Sequence, residues 1–344
     1  MFTFKFINSG IINHAKTLCN SLTVLQKSIR HCTVRRALLY VPGNERLKIE
    51  KAFTYSADCI ALELDVCDEE RRAAATGTVT EFLNEGNVTK VEPECCIKIN
   101  SIQSTMKFQS DMDVILSCKN LPPAIILPGV DCCEHLEIFA EYLWKKLLER
   151  PEDDRGPINL LLLISSPKAF VYLSDICKKL HDLATMAPIV PSALIFDCET
   201  YLSLTGSTRS EHRLEIMYVR QKLVVVAKAF GMQAIDKVSL NPQTSGDPLI
   251  ECREGVSLGY TGKQVKHPNH IGIVQSEFIP SRSKIVEASK TIERIENMVK
   301  EKEAAMFDRL PIDLAALKVA KYTMEVAKAA GKIESGSPRK IIIS

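Results

Sequence analysis

The amino-acid sequence predicts an α/β fold, a (β/α)8 TIM barrel with a C-terminal helical extension. The first observation behind this prediction is the chain length of 344 residues, which suffices for one large barrel domain with additions at its ends. The second is the composition, with 46% hydrophobic and 25% charged residues, which is typical of a globular protein. The third is a series of strand-like runs separated by segments that are mostly long enough for helices.

Eight strand-like runs follow one another in the chain after the first 36 residues. Several runs are apolar on both faces, as is typical of strands buried in a parallel sheet. Between them, residues 134–148 and 214–230 carry apolar side chains at helical spacing. No GxGxxG motif follows the first run, so the barrel is favoured over an open doubly wound sheet. The runs are residues 37–43, 59–65, 95–101, 124–130, 158–166, 193–199, 234–241 and 262–269.

The pattern changes after residue 278, where the barrel is expected to end. Apolar residues from Ile285 to Met298 predict one charged helix, and those from Leu314 to Met324 predict a second helix after Pro311. We therefore expect a barrel over residues 37–278, a helical extension over 279–333 and a flexible tail over 334–344.

The first 36 residues have the composition of a mitochondrial transit peptide. They contain six Lys or Arg and no acidic residue, and hydroxyl-bearing residues are interspersed with apolar ones. We expect cleavage of this leader and a location in the mitochondrial matrix, and a disordered basic tail is the alternative. Lys and Arg number 44 against 42 Asp and Glu, which gives no indication of nucleic-acid binding. No apolar run is long enough to predict a membrane-spanning helix.

Polar residues at the carboxyl ends of the strands are the candidates for function, because ligands bind there in parallel barrels. Lys98 lies in the third run, and a buried ammonium would suggest an acidic ligand unless the side chain extends to water. Asp197 and Glu199 are two residues apart at the end of the sixth run, so they could form half of a metal site or cap the next helix. Lys263 and His267, near the eighth run, could bind phosphate or move a proton.

Three segments carry a resemblance to a known family: LYVPGN at residues 39–44, YVRQKLVVVAKAFGMQAID at 218–236 and REGVSLGYTGKQVKHPN at 253–269. On these motifs the chain resembles the citrate lyase beta-subunit-like family. The resemblance implies a (β/α)8 barrel, usually a homotrimer, that cleaves or forms carbon–carbon bonds in hydroxyacyl-CoA esters with the help of Mg²⁺. The implied ligand is a coenzyme A thioester, held partly by the first loop and its helix.

The resemblance also assigns roles to individual residues. Tyr40 and Lys51 correspond to residues that bind coenzyme A, whereas a second CoA-binding lysine is replaced by Leu47. Lys98 replaces an arginine that pairs with a substrate carboxylate. A lysine keeps the positive charge but cannot form the bidentate hydrogen bonds of an arginine. Asp313 corresponds to an acid/base residue that completes the site of a neighbouring subunit.

The two metal-binding positions of the family depart from its pattern. Ser165 stands where the family has a glutamate and Thr200 where it has an aspartate, beside a remaining carboxylate at Glu199. Two neutral hydroxyl groups remove the negative charge that holds a hard dication such as Mg²⁺. We therefore expect Ser165 and Thr200 not to bind metal, Glu199 to be a weak candidate ligand, and Mg²⁺-dependent lyase activity to be lost or much reduced.

Three functions remain open at this point. The chain could be a lyase that uses a rearranged site, or a relative without catalytic activity that binds CoA esters. It could also be a structural subunit that joins an active paralogue and lends Asp313 to its partner's site.

Overall fold

A computed structural model gives the fold of the chain and describes residues 33–65, 68–86, 93–210, 212–238, 248–302 and 314–333. The predicted leader up to residue 32, Asp313 and the predicted tail lie outside the described residues. Predictions for these parts of the sequence therefore stay predictions.

Eight parallel strands form a closed barrel, in which each strand pairs with the next and the last pairs with the first. The predicted (β/α)8 barrel is thus confirmed. The strands are β1 Ala37–Pro42, β2 Cys59–Glu63, β3 Glu94–Lys98, β4 Ala124–Pro128, β5 Ile158–Ile164, β6 Ile189–Phe196, β7 Gln233–Asp236 and β8 Gly262–Val265.

Helices follow the strands and surround the barrel, as right-handed crossovers between parallel strands require. Those of the barrel are α1 Arg46–Ala52, α2 Glu69–Asn84, α3 Thr105–Ser117, α4 Cys133–Leu148, α5 Pro167–Val171, α6 Leu173–Ala184, α7 Cys198–Thr205, α8 Leu214–Ala229, α9 Pro248–Leu258 and α10 Ile271–Glu277. Short 3-10 helices occupy Glu152–Asp154 and Pro268–His270. The helices α11 Arg282–Lys302 and α12 Leu314–Ala329 form the extension.

The apolar core has two layers because side chains alternate along each strand. Leu38 and Tyr40 of β1 belong to the cluster that fills the barrel interior. Leu39 and Val41 belong to the larger cluster between the strands and the surrounding helices. Both layers are almost fully buried, which explains why the sequence of these strands is apolar on both faces.

Strand β6 ends at Phe196, earlier than the sequence pattern predicted. Asp197 is the N-cap of α7, and its carboxylate accepts a hydrogen bond from the backbone N–H of Thr200 at 3.3 Å. Glu199 is consequently in the first turn of a helix. The interpretation in which Asp197 caps the next helix is confirmed, and the alternative in which Asp197 and Glu199 share one face of a strand is wrong.

Charged groups close the end of the barrel where the strands begin. Arg35 precedes β1 and its Nε and Nη2 atoms donate to the Glu94 carboxylate at 2.5 and 2.7 Å. Asn159 donates to the same carboxylate at 2.8 Å. Arg36 pairs with Asp58 at 2.7 Å. Arg35 and Arg36, the last two residues of the predicted leader, are therefore part of the folded barrel.

The helical extension packs as a pair of helices, with Ile285 of α11 buried against Ala327 of α12. Tyr322 of α12 donates a hydrogen bond to the carbonyl of Thr261, which directly precedes β8, at 3.0 Å. This contact lies at the end of the barrel where the strands begin. None of the helices in the described residues has the length and apolar character needed to cross a membrane.

Candidate functional site

The candidate site is the end of the barrel where the strands finish, hereafter the mouth. Tyr40 of β1 faces the barrel interior. Glu63 and Lys98 are the last residues of β2 and β3, and they are direct partners in the register of these neighbouring strands. Ser165 follows β5 directly, and Asp197 follows β6 directly. The fold therefore brings the inward positions of several strands to one end of the barrel.

Lys98 is held by two carboxylates of the same chain. Its Nζ atom lies 3.1 Å from Glu63 Oε1 and 2.7 Å from Asp65 Oδ2, and the Lys98 side chain is only 15% exposed. Burial would lower the pKa of Lys98, but the charges of Asp65 and Glu63 outweigh burial and raise this pKa. The sequence correctly indicated that a buried ammonium needs an anion, and the structure supplies that anion from the chain itself.

Tyr40 contributes an unpaired hydroxyl group to the mouth. The Tyr40 side chain is more than nine-tenths buried, and its Oη has no hydrogen-bond partner among the described residues. The Lys98 Nζ lies 5.5 Å from the centre of the Tyr40 ring, within the range of a cation–π contact. Burial raises the pKa of Tyr40, and the negative charges of Glu63, Asp197 and Asp65 raise it further. The phenol is therefore a neutral hydrogen-bond donor.

Asp65 is the most perturbed carboxyl group of the mouth. Burial raises the pKa of Asp65 from 3.8 to about 6, although the charge of Lys98 acts in the opposite direction. Its Oδ1 atom is buried and has no partner within the described part of the chain. Burial of this carboxyl group thus outweighs the attraction of the Lys98 ammonium, and the negative charge of Glu63 adds to the rise in pKa.

The raised pKa of Asp65 predicts a pH-dependent contribution to stability. The folded state binds the proton of Asp65 more tightly than the unfolded state, so this stabilisation is present below pH 3.8 and is lost as the pH rises to about 6. Relative to Asp65→Asn, the wild type should lose about 2 kcal/mol of unfolding free energy between pH 4 and pH 7. Urea unfolding of both proteins across this range measures the difference, and a difference that is independent of pH would contradict the prediction.

The positions that the resemblance assigns to metal offer only hydroxyl groups. Ser165 is half-buried between β5 and α5, and Thr200 is exposed in the first turn of α7. Glu199 forms an ion pair with Arg209, so the charge of this candidate ligand is balanced within the chain. These donors do not suit Mg²⁺, which needs anionic oxygen atoms to replace its tightly held waters.

Among the described residues, one group of three potential metal ligands lies close together, and it is away from the mouth. It consists of Cys59, Glu94 and Cys96, at the end of the barrel where the strands begin. Glu94 is already bonded there to Arg35 and Asn159. Neither this group nor the residues at the family's metal positions, Ser165 and Thr200, therefore fits the metal that the resemblance implies.

The other predicted site residues lie apart from the Lys98 cluster. Lys51 is exposed in the last turn of α1, on the same helix as Leu47, which is 81% exposed. Lys263 is buried and pairs with Glu251 of α9 at 3.1 Å. His267 is the N-cap of the 3-10 helix Pro268–His270. The structure thus brings Tyr40 and Lys98 together and leaves Lys51, Lys263 and His267 outside this cluster.

Sequence reasoning missed Glu63 and Asp65 as partners of Lys98. The signal was present, because β2 and β3 are consecutive strands and both run to the same end of a parallel barrel. An acidic residue at the end of one and a basic residue at the end of the next were therefore candidates for a pair.

Comparisons with known proteins show the family of the chain and support its fold. A model of the HpcH/HpaI aldolase/citrate lyase family matches residues 36–268. The mitochondrial citramalyl-CoA lyase of Homo sapiens is 33% identical over 295 residues, which are 85% of this chain and 85% of that protein. The citrate lyase subunit beta of Escherichia coli is 22% identical over 79% of this chain and 86% of its own length.

Solved structures agree on the fold. The protein CitE from Mycobacterium tuberculosis, in complex with magnesium, acetoacetate and coenzyme A, has a TM-score of 0.58 at 18% identity. The similarity covers 87% of this chain and all of that chain. RipC from Yersinia pestis has a TM-score of 0.56 at 18% identity, over 74% of this chain and all of its own. Since the family match spans most of the barrel and the human relative matches most of the sequence, the chain belongs to the HpcH/HpaI aldolase/citrate lyase family.

Proposed function

We propose that the chain binds a coenzyme A thioester at the mouth of the barrel and has lost, or retains only a small part of, Mg²⁺-dependent carbon–carbon lyase activity. The lyase activity meant here is the cleavage of citramalyl-CoA to acetyl-CoA and pyruvate. We choose this reaction because the human, rat and mouse relatives are citramalyl-CoA lyases. The observation that carries the proposal is the pair of neutral side chains, Ser165 and Thr200, at the metal positions of the family.

The chemical reason is the charge that develops during cleavage. Breaking the bond places negative charge on a carbonyl oxygen and on an enolate, and a bound dication stabilises such a transition state by several kcal/mol. Hydroxyl groups at residues 165 and 200 leave the dication without its anionic ligands. The Lys98 ammonium does not take over this role, because its charge is balanced by Glu63 and Asp65.

A direct comparison with the human relative tests the proposed function. Calorimetry should detect binding of coenzyme A by the purified chain. Turnover of citramalyl-CoA in millimolar Mg²⁺ should be at least about a thousandfold slower than that of the human enzyme, because losing several kcal/mol of transition-state stabilisation has this effect. Turnover within tenfold of the human enzyme would refute the loss of activity, and absence of CoA binding would refute the binding role.

Restoring the carboxylates should restore metal binding. We expect the double substitution Ser165→Glu with Thr200→Asp to raise the affinity for Mg²⁺ at least about tenfold, because anionic oxygen atoms replace neutral ones. Calorimetric titration with Mg²⁺ measures the change. The matched control is Ser165→Gln with Thr200→Asn, which has nearly the same shape without the charge and should show no gain. Equal affinities of the two double variants would show that residues 165 and 200 are not at the metal position.

We further propose a mitochondrial matrix location with a transit peptide that lies within residues 1–36 and ends before Arg35. The basic, acid-free composition of this segment supports it, as do the names of the three mammalian relatives, which are mitochondrial. Because Arg35 and Arg36 are bonded within the barrel, we expect cleavage before Arg35. Sequencing the amino terminus of the protein isolated from mitochondria would test this.

A second proposed role is that of a subunit, either in a homotrimer or in a hetero-oligomer with an active paralogue, in which Asp313 serves the neighbouring site. The contact between Tyr322 of α12 and the end of the barrel opposite the mouth supports an extension that does not fold over its own site. In a mixed oligomer with an active paralogue, Asp313→Asn should abolish the activity that depends on this chain. Unchanged activity of the mixed oligomer would rule the role out.

A further inference from the structure

The Lys98 cluster at the mouth consists of one ammonium and two carboxylates. The Lys98 Nζ lies 3.1 Å from Glu63 Oε1 and 2.7 Å from Asp65 Oδ2. When both carboxyl groups are ionised, the two negative charges exceed the single positive charge. The cluster then carries one negative charge in excess.

A ligand carboxylate that enters the mouth adds to this excess. The thioester of the proposed function, citramalyl-CoA, carries a carboxylate in its acyl group, and the ammonium of Lys98 is the group of the cluster that attracts it. The neutral side chains of Ser165 and Thr200 hold no dication that could offset the added charge. Like charges at short distance favour the protonated form of one of the acids, so proton uptake relieves the repulsion.

Asp65 is the group that is closest to accepting this proton. Burial raises the pKa of Asp65 to about 6, the negative charge of Glu63 adds to the rise, and Lys98 opposes it. These two residues of β2 and β3 are the charged groups that act on Asp65 among the described residues, and the phenol of Tyr40 on β1 lies beside them in its neutral form. A further negative charge next to Asp65 raises its pKa again.

Two polar atoms beside Lys98 have no hydrogen-bond partner in the described part of the chain. Asp65 Oδ2 is bonded to Lys98, whereas Asp65 Oδ1 is buried and unpaired. Tyr40 Oη is likewise unpaired, in a side chain that is more than nine-tenths buried. A proton on Asp65 Oδ1 turns this atom into a donor, and the phenol is a second donor. The Asp65 side chain is 27% exposed, so a ligand can approach it.

We propose that a coenzyme A thioester with a carboxylate in its acyl group binds at the mouth together with one proton, which Asp65 takes up from the solvent. The protonated Asp65 and the Tyr40 hydroxyl donate hydrogen bonds to the ligand carboxylate, and Lys98 attracts it. Asp65 thereby supplies a hydrogen-bond donor beside Lys98, which lacks the two-donor fork of an arginine. The added negative charge is offset by the proton, so the net charge of the occupied mouth equals that of the empty one.

This inference rests on the proposed binding of coenzyme A thioesters and adds its dependence on pH. Calorimetry in two buffers that differ in their enthalpy of ionisation counts the protons taken up on binding. The ligands are malonyl-CoA and acetoacetyl-CoA, which have nearly the same shape and end in a carboxylate and in a methyl ketone, respectively. Free coenzyme A is the reference for protons that its own phosphate groups exchange.

Titrations of the full chain at pH 7 should show about half a proton or more taken up per malonyl-CoA, after subtraction of the value for free coenzyme A. Acetoacetyl-CoA should take up almost none. Equal proton uptake with the two thioesters would overturn the inference and leave the proposed function intact. Malonyl-CoA that fails to bind while free coenzyme A binds would overturn it as well.

The affinity for malonyl-CoA should depend on pH in the direction that this proton uptake requires. Asp65 holds the proton more tightly in the complex than in the free protein, so the affinity relative to free coenzyme A should rise at least about fivefold from pH 8 to pH 6. The rise should level off below pH 6, where Asp65 of the free protein is itself protonated. A relative affinity that stays constant or falls as the pH is lowered would contradict the inference.

Substitutions assign the proton to a residue. Asp65→Asn keeps the shape of the side chain and cannot titrate, so malonyl-CoA should bind to it without proton uptake and with an affinity that is independent of pH. Glu63→Gln retains Asp65, and uptake should persist. The control is Glu149→Gln, which removes an exposed carboxylate paired with Lys146 on α4 and should leave the uptake at its wild-type value. Uptake that persists in Asp65→Asn would show that another group binds the proton.

The outcomes also distinguish this inference from the function on which it rests. If neither free coenzyme A nor any thioester binds, both the proposed function and the inference are wrong. The proton count in the wild type needs no substitution, so a variant that fails to fold does not remove the test.

Discussion

Replacing Asp236 with alanine is expected to lower the free energy of unfolding by about 3 kcal/mol, because it leaves the buried guanidinium of Arg220 with a single counter-charge, the partly exposed carboxylate of Glu254 at 3.1 Å. Asp236 is the last residue of β7, and its carboxylate accepts hydrogen bonds from Arg220 of α8 at 2.7 and 3.2 Å. Both side chains are fully buried. The backbone N–H of Lys237 donates to the same carboxylate at 2.8 Å.

The pKa of Asp236 shows that the surrounding positive charges stabilise its ionised carboxylate. Burial would raise this pKa, but Lys263, Arg220 and Lys237 outweigh burial and lower it. The folded state therefore favours the ionised carboxylate, and the resulting stability is present above the pKa of the unfolded state and is lost as the pH falls. Asp236→Ala removes this stabilisation at neutral pH.

Urea unfolding monitored by circular dichroism measures the loss. Arg253→Ala on α9 is the matched control, because Arg253 also pairs with a carboxylate, that of Glu277 at 3.2 Å, but its side chain is 64% exposed. Exposed ion pairs contribute about 0–1 kcal/mol, so this control should change the free energy of unfolding little. Equal effects of the two substitutions would show that the Arg220–Asp236 pair is not important for stability.

The barrel could be predicted from the sequence because its determinants are local. Each buried strand has to be apolar on both faces, and each crossover needs a segment of minimum length, and both properties are visible in a single run of residues. The end of β6 was mispredicted for a local reason as well. Asp197 extends the strand pattern by its position, and only its role as an N-cap shows that the strand has already ended.

The candidate site was less predictable because its contacts join distant parts of the sequence. Lys98 was recognised as a barrel-lining cation, but its pairing with Asp65 depends on the register between β2 and β3, which the sequence does not reveal. The pair of Lys237 and Glu251 joins the end of β7 to α9 in the same way. Charged residues on helices and at strand ends have the pattern of solvent-exposed positions, so their burial becomes visible only in the folded structure.

Replacing Arg35 with alanine is expected to have a similarly large effect, a loss of about 3–5 kcal/mol, although Arg35 lies within the predicted leader. Its guanidinium group forms two hydrogen bonds with Glu94, and both side chains are 3% exposed. Without Arg35, the Glu94 carboxylate keeps the donor from Asn159 but has no positive charge in contact with it among the described residues. Burying an uncompensated carboxylate is unfavourable, and the barrel loses stability at the end where its strands begin.

A second substitution shows whether charge or packing causes the loss. Glu94→Gln in the Arg35→Ala protein removes the uncompensated charge and retains an oxygen that can accept from Asn159, so at least half of the lost free energy should return. Urea unfolding of the wild type and of the single and double variants measures the recovery. If Arg35→Ala unfolds at the urea concentration of the wild type, Arg35 does not contribute to the barrel, and cleavage after Arg36 would cost the mature protein only the contacts of Arg36 with Asp58. If the loss is large, the peptide bond that is cut has to precede Arg35, because a protein beginning at Ala37 would lack the arginine partners of both Glu94 and Asp58.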